Sequence, residues 1–203
     1  MKKIILLIAL LAMGISATQA QVSFKPGIRA GANFSKITQT NSDFKTDFYV
    51  GVLGELNLGR FYTMQPEINY TRQGASNISM QYYDYKAQVN VYEKRNLTIS
   101  YVSLSLINKL NLPSGFNFHI GPTIDIETDA NRYSNSEVDL AFVFGLGYSV
   151  TNNLTFEARI KKGIIDVFES DYFYHNHYDD YSDYNTNLLF QIGLSYTFDL
   201  NKQ

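Results

Sequence analysis

The chain contains no cysteine and no tryptophan. Without a thiol there is no disulfide scaffold, cysteine-ligated zinc or iron–sulfur centre, thiol nucleophile or lipidated N-terminal cysteine. A basic excess is missing too. Seventeen Lys and Arg against 19 Asp and Glu leave a net charge of −2, which does not give the electrostatic footprint of a nucleic-acid binder. Beyond the N-terminal segment no stretch approaches the ~20 consecutive apolar residues of a membrane-spanning helix. Proline is scarce at 4, whereas 16 Tyr, 14 Phe and 13 Gly among 203 residues suit strands and turns rather than disorder. The length fits one all-β domain.

The first segment reads as an address. Lys2 and Lys3 precede an apolar run from Ile4 to Ile15, and small residues lead to Thr18, Gln19 and Ala20. This is the pattern of a secretory signal over residues 1–20, cleaved before Gln21. At ~1.5 Å per residue the run makes a helix of roughly 18 Å, too short for a ~30 Å hydrocarbon core. The mature chain is then one domain, 21–203, with 203 − 20 = 183 residues and, two lysines fewer, a charge of −4.

What recurs in that domain is alternation of period two, in eight segments of roughly ten residues. In the clearest, Leu140, Phe142, Phe144, Leu146, Tyr148 and Val150 share one face, opposite Asp139, Ala141, Val143, Gly145, Gly147 and Ser149. The last sets Leu188, Phe190, Ile192, Leu194, Tyr196 and Phe198 against Asn187, Leu189, Gln191, Gly193, Ser195 and Thr197. The second segment is broken by Leu53 and Gly54, and the fourth, through Val102, Leu104, Leu106 and Leu110, is the least regular. Connections at Gly59-Arg60, Asn111 to Gly115 and Thr151 to Asn153 are short, whereas 35–46, 74–95, 129–137 and 165–186 are longer. Short turns on one side and long loops on the other predict an all-β, eight-stranded, antiparallel up-and-down transmembrane barrel in an outer membrane, with both termini periplasmic.

Side-chain size decides which face points outward. Eight strands enclose a space just wide enough for side chains, so the large apolar set cannot all fit inside. The opposite face carries eight of the 13 glycines, among them Gly31, Gly145 and Gly193, and a solvent-facing strand surface gains nothing from glycine. Aromatics on the apolar face, such as Phe24, Phe48, Tyr148 and Phe198, fall toward strand ends as interfacial girdles do. A soluble, lipocalin-like periplasmic barrel binding a ligand is the inverted alternative.

Several stretches carry a resemblance: Gly27 to Ser35 (GIRAGANFS), Met64 to Tyr70 (MQPEINY) with Gln73-Gly74, Gly121-Pro122, and Phe144 to Tyr148 (FGLGY) leading through Thr151 to Leu154 and on to Glu157-Ala158-Arg159. Together they resemble the PorT-like outer-membrane β-barrel proteins of Bacteroidetes, over nearly the whole mature chain. The resemblance implies an eight-stranded cell-envelope barrel. Where that family often has an acidic residue and a proline, this chain has Ser103 and Ser105. Participation in type IX secretion belongs to only part of such a family and is not implied. Gln191, Gly193, Tyr196 and Phe198 resemble the barrel assembly signal, with the tail from Asp199 to Gln203 following.

The polar face holds Lys25, Arg29, Lys109, Arg159 and Lys161 opposite Glu55, Glu67, Asp125, Glu127, Asp139 and Glu157. Unpaired buried charges cost several kcal/mol each, so a near-balanced set should pair. Counting from the short turns puts Arg29, Glu55, Glu67, Glu157 and Arg159 at comparable heights, and these are the expected members of a structural ionic network plugging the lumen. No catalytic, cofactor or metal site is assigned. His119 is the one strand histidine, with Asp125 and Glu127 at least six residues on, about 20 Å at ~3.3 Å per residue. A lipid-modifying enzyme is the alternative that would use it. His175 and His177 could meet one ion if Asp179 turned back, but solvated acidic loops are common. Tyrosine interleaved with acid there, and at Tyr82, Tyr83 and Tyr85, suits contact with extracellular protein or glycan. The expected role is structural or interactional rather than that of a general porin. The expected partners are outer-membrane lipid and the periplasmic and membrane machinery of insertion, and nucleic acid is not among them.

Overall fold

The computed structural model describes residues 23–38, 42–84, 88–128, 138–165 and 186–200. The expected signal segment, the His175, His177 and Asp179 group and most of the 165–186 loop fall outside them.

Eight strands follow one another: β1 (Ser23–Ile37), β2 (Lys45–Asn57), β3 (Tyr62–Asp84), β4 (Val89–Asn111), β5 (Phe116–Glu127), β6 (Val138–Ser149), β7 (Leu154–Gly163) and β8 (Asn187–Thr197). Each pairs antiparallel with the next, and β1 closes on β8 from Gly27↔Thr197 to Ile37↔Asn187. Closure leaves no open sheet edge along the wall, which a lone β-strand in hydrocarbon could not tolerate.

Three connections of identical length, residues 58–61, 112–115 and 150–153, mark the end of the barrel that also holds both termini. Their chemistry is local. Leu58 and Gly59 N–H groups donate to Tyr62 O, Gly115 takes φ +88°, and Thr151 Oγ1 accepts from the Asn153 and Leu154 N–H groups at 3.2 and 3.0 Å.

Along the wall, up to the bulge after Ala75 in β3, odd-numbered residues face inward and even-numbered ones outward, because the registers there pair odd with odd. The outward set is apolar and bare: Phe144 is 53%, Leu146 55% and Ile192 60% exposed. Aromatic pairs sit at both rims, Phe116–Tyr148 (5.0 Å) and Tyr196–Phe198 (5.3 Å) at the short-turn end, Phe48–Tyr70 (6.2 Å) and Phe44–Phe190 (5.8 Å) toward the other. Leu53 and Gly54 do not break the phase. Leu53 points into the lumen, and Gly54 faces outward beneath the Phe24 ring, where a Cβ would lie 2.6 Å from the ring edge. The irregularity expected in β4 is real, with Ile107 inside and Asn108 outside, its Oδ1 accepting from Tyr62 Oη at 2.5 Å.

One expectation is corrected. Residues 74–95 are not mainly a loop; β3 and β4 run on through them as a paired arm, from Ile78↔Arg95 to Asp84↔Val89. A bulge between Ala75 and Ile78, with Asn77 at φ +55°, inserts one extra residue on β3, so Ile78 faces inward at an even position. The shift of phase hides the strand from a search for continuous alternation. Each of these strands is 23 residues long, against the ~9–11 that a bilayer crossing needs.

A second interruption falls at prolines. The β2–β3 register skips from Leu53↔Glu67 to Leu56↔Met64 around Pro66, and the β4–β5 register skips from Ser105↔Thr123 to Asn108↔Ile120 around Pro122. Neither proline has an N–H to give to the ladder.

The exposed belt makes a prediction. Ile192→Arg, at the midpoint of β8, should destabilise the barrel in lipid vesicles by about 2–4 kcal/mol in a denaturant titration. No change would mean that this face does not meet hydrocarbon.

Candidate functional site

The lumen is the site, and the inward residues fill it in tiers. Nearest the termini, Lys25 pairs with Asp199 at 2.7 Å and Lys109 Nζ with Glu55 Oε1 at 2.7 Å. Around them lies a polar recess of about 420 Å³, lined in part by Asn57, Thr63, Asn117, Ser149 and Thr155.

Above it four charges from three strands meet. Arg29 (β1) donates from Nη1 to Glu67 Oε2 (β3) at 2.6 Å, and its Nε lies 3.4 Å from Glu157 Oε1 (β7). Arg159 (β7) reaches Glu67 Oε1 at 2.9 Å and Glu157 Oε2 at 2.5 Å. Two arginines and two carboxylates make this unit neutral, and their side chains are at most 2% exposed. Gln65 and Asn69, flanking Glu67 on β3, donate to its carboxylate at 2.7 and 3.2 Å. Glu67 thus accepts hydrogen bonds from both arginines and both amides, and the acceptor is fully used.

His119 (β5) borders the unit. Arg159 Nε donates to His119 Nδ1 at 3.1 Å, so the ring proton belongs on Nε2, which faces Asn117 Oδ1 at 2.6 Å. Glu157 Oε2 lies 3.6 Å from the same Nδ1. The histidine therefore has neighbours on another strand, which spacing within β5 could not show. It is only 3% exposed, and the contacts made by both ring nitrogens belong to this cluster.

Tyr49 (β2) lies across the lumen with the Arg29 guanidinium 4.5 Å from its ring centroid. Glycine makes the room: a Cβ on Gly31 would stand 2.8 Å from Tyr49 Cε1, and one on Gly193 would stand 2.1 Å from Tyr49 Oη. Both strands approach the ring backbone-first.

Farther from the termini, Lys161 Nζ contacts Asp125 Oδ2 at 2.5 Å, Gln73 donates to the same oxygen at 3.1 Å, and Asn33 joins Thr71 Oγ1 to Gln191. Asp139 accepts from Asn187 at 3.1 Å. An apolar cluster lies beyond, toward the long-loop end: Ile37, Ala75, Ile78, Leu97, Ile99 and Tyr101, all buried.

Of the five residues expected in one network, Arg29, Glu67, Glu157 and Arg159 are in mutual contact, and Glu55 is not among them. In the β2–β3 register Leu53 stands opposite Glu67, so Glu55 lies two residues nearer the Gly59 turn and meets Lys109 instead. Sequence reasoning missed Tyr49, the amides of Gln65 and Asn69, and the apolar cluster. The inward positions of Tyr49, Gln65 and Asn69 were legible by phase, whereas Ile37, Ala75 and Ile78 of the apolar cluster lie in segments expected as loops, and cross-lumen neighbours depend on barrel shear. Among the described residues no group of three or more metal-ligating side chains is positioned to hold an ion.

Removing one carboxylate from the cluster strands two arginines. Glu67→Gln should cost about 3–5 kcal/mol of stability, whereas Glu55→Gln, which strands one lysine beside the polar recess rather than two arginines, should cost less. Urea titration of the vesicle-inserted protein followed by tyrosine fluorescence distinguishes the two, and equal losses would contradict this partition.

Comparison with known proteins agrees with the geometry. Neisserial surface protein A superposes with a TM-score of 0.52 at 14% identity, covering 87% of this chain and 99% of that one. The attachment invasion locus protein Ail of Yersinia pestis aligns with a TM-score of 0.45 at 10% identity, over 86% of this chain and 98% of its own. The N-terminal barrel domain of Pseudomonas aeruginosa OprF gives 0.42 at 13% identity, over 87% and 100%. No curated protein sequence matches the chain. The outer membrane protein beta-barrel domain model matches residues 5–198, and the chain belongs to that family.

Proposed function

We propose that this outer-membrane barrel is closed to solutes and serves a structural or interaction role, without enzymatic or general porin activity. The observation that carries the reading is the neutral cluster of Arg29, Glu67, Glu157 and Arg159, which ties β1, β3 and β7 together across the lumen with buried side chains. Eight strands leave little space besides, and open aqueous channels belong to barrels of about sixteen strands. The apolar cluster between Ile37 and Tyr101 adds a water-poor tier above the ions. His119 supports a structural assignment because both ring nitrogens are engaged inside the lumen.

The short connections and both termini belong on the periplasmic side, with the β3–β4 arm and the long loops outside. In that orientation the tyrosine-rich segments are offered to extracellular protein or glycan, and the recess at Lys25, Glu55 and Lys109 opens to the periplasm. Outer-membrane lipid surrounds the belt. The periplasmic and membrane insertion machinery reads the β8 pattern of Gln191, Gly193, Tyr196 and Phe198. Within the family the motifs quoted above favour the PorT-like branch of Bacteroidetes, and residues 1–20 act as its export signal.

Planar-bilayer recording tests closure. The wild type should show no steady openings, and the variant combining Arg29→Ala, Glu67→Ala, Glu157→Ala and Arg159→Ala should show transient ones. Large, persistent wild-type conductance would overturn the proposal.

A further inference from the structure

The charges on the wall are sorted by face. Every Asp and Glu on the described wall below the arm occupies an odd, inward position, and the outward, even positions carry charge only at Lys36, Arg72 and Lys162. All three are cationic, and all three stand at the long-loop rim of the apolar belt.

Arg72 is accounted for. Its Nη1 lies 3.4 Å from Asp47 Oδ1, and its guanidinium sits 5.8 Å from the Phe48 ring centroid. Lys36 and Lys162 differ. In the β1–β8 register Lys36 stands opposite Leu188, and in the β7–β8 register Lys162 stands opposite the same Leu188. The two lysines thus flank one residue in a single row across three strands, roughly 10 Å apart at the backbone.

Neither has a carboxylate within ion-pair distance among the described residues. Lys162 nevertheless leans across β8 toward β1: its Nζ donates to Thr186 Oγ1 at 2.5 Å and Thr38 Oγ1 at 3.2 Å. Lys36 Nζ lies 5.2 Å from the Phe44 ring centroid, and Phe44 stacks edge-on against Phe190. Lys162 is therefore held toward β1 beside a pair of hydroxyls, and Lys36, in the same row, lies over an aromatic pair. Like charges in one row repel, and an anion between them removes the penalty. Because the aromatic pair continues into the exposed apolar belt through Phe190 and Ile160, an anion bound here would have acyl chains directly below it.

We propose that Lys36 and Lys162, the latter positioned by the Thr38 and Thr186 hydroxyls, form a binding site on the outer wall for the phosphomonoester headgroup of an anionic lipid in the leaflet at the long-loop end. The phosphate takes charge-assisted hydrogen bonds from both ammonium groups, and the chains lie along Phe190 and Ile160. This rests on the barrel being embedded in lipid, and not on which leaflet faces outward.

The test uses the full chain folded in detergent, with the barrel fold monitored by its heat-modifiable electrophoretic mobility. Native mass spectrometry measures retention of phosphatidic acid, with phosphatidylcholine as the lipid lacking a phosphomonoester and inorganic phosphate as the free-anion competitor. Phosphatidic acid should be retained selectively. At about fivefold per lysine, Lys36→Gln with Lys162→Gln should weaken it roughly 25-fold. Lys36→Arg with Lys162→Arg should retain it, and so should Arg72→Gln. Unchanged retention in the folded double Gln variant would overturn the site, as would millimolar inorganic phosphate displacing the lipid completely. Failure of the folded wild type to enter phosphatidylcholine vesicles would instead overturn the membrane embedding itself, so the two failures are distinct.

Discussion

A backbone crossing hydrocarbon has no water to satisfy its N–H and C=O groups, and here every strand must find them in a neighbour. The pairing of β1 with β8 meets that demand, and most of the remaining architecture follows from it. A closed ladder forces each strand to show one face to the lumen and one to the surroundings, hence the odd-in, even-out phase that holds until the bulge after Ala75. It also explains why the ladder is interrupted where it is: Pro66 and Pro122 lack the donor, and the neighbouring registers skip around them rather than leaving the wall open.

The same closure makes the lumen a narrow space that side chains must fill. Four charges from β1, β3 and β7 occupy its middle, with a net charge of zero. Burying ions in this way does not beat a well-packed apolar core for stability, but once buried each ion depends on its partners. Glu67 shows this most clearly, since its carboxylate serves Arg29, Arg159, Gln65 and Asn69 together. Tyr49 takes the volume left by Gly31 and Gly193, so glycine on the inner face marks where another strand's side chain lies flat. Crowding of charged side chains and selection of glycine are two results of one lack of space.

Much of this was legible in the sequence, for a physical reason. Alternation reports directly which residues share a face, so the eight strands, the inward polar set and the outward belt could be read from side-chain type. Leu53 and Gly54 looked like a fault because side-chain type was taken for phase, yet both keep their place, one as an apolar lumen residue and the other under Phe24. The β3–β4 arm was hidden because the bulge at Ala75 shifts one strand and leaves the other unshifted. Height along the axis was only partly accessible. Counting from turns grouped Arg29, Glu67, Glu157 and Arg159 with Glu55, but stagger between strands separates Glu55 and gives it to Lys109. The row Lys36–Leu188–Lys162 likewise exists only once registers are known, since the three are far apart in the chain.

The central claim is that even-numbered residues meet lipid while odd-numbered ones fill the lumen. Because the chain has no native cysteine, nitroxide labels can be placed singly along β6, from Leu140→Cys to Leu146→Cys, in vesicle-inserted protein. Oxygen collision rates should rise at 140, 142, 144 and 146 and fall at 141, 143 and 145, with little access for a water-soluble nickel chelate at the even set. An inverted pattern, with the nickel chelate reaching the even positions, would contradict the account.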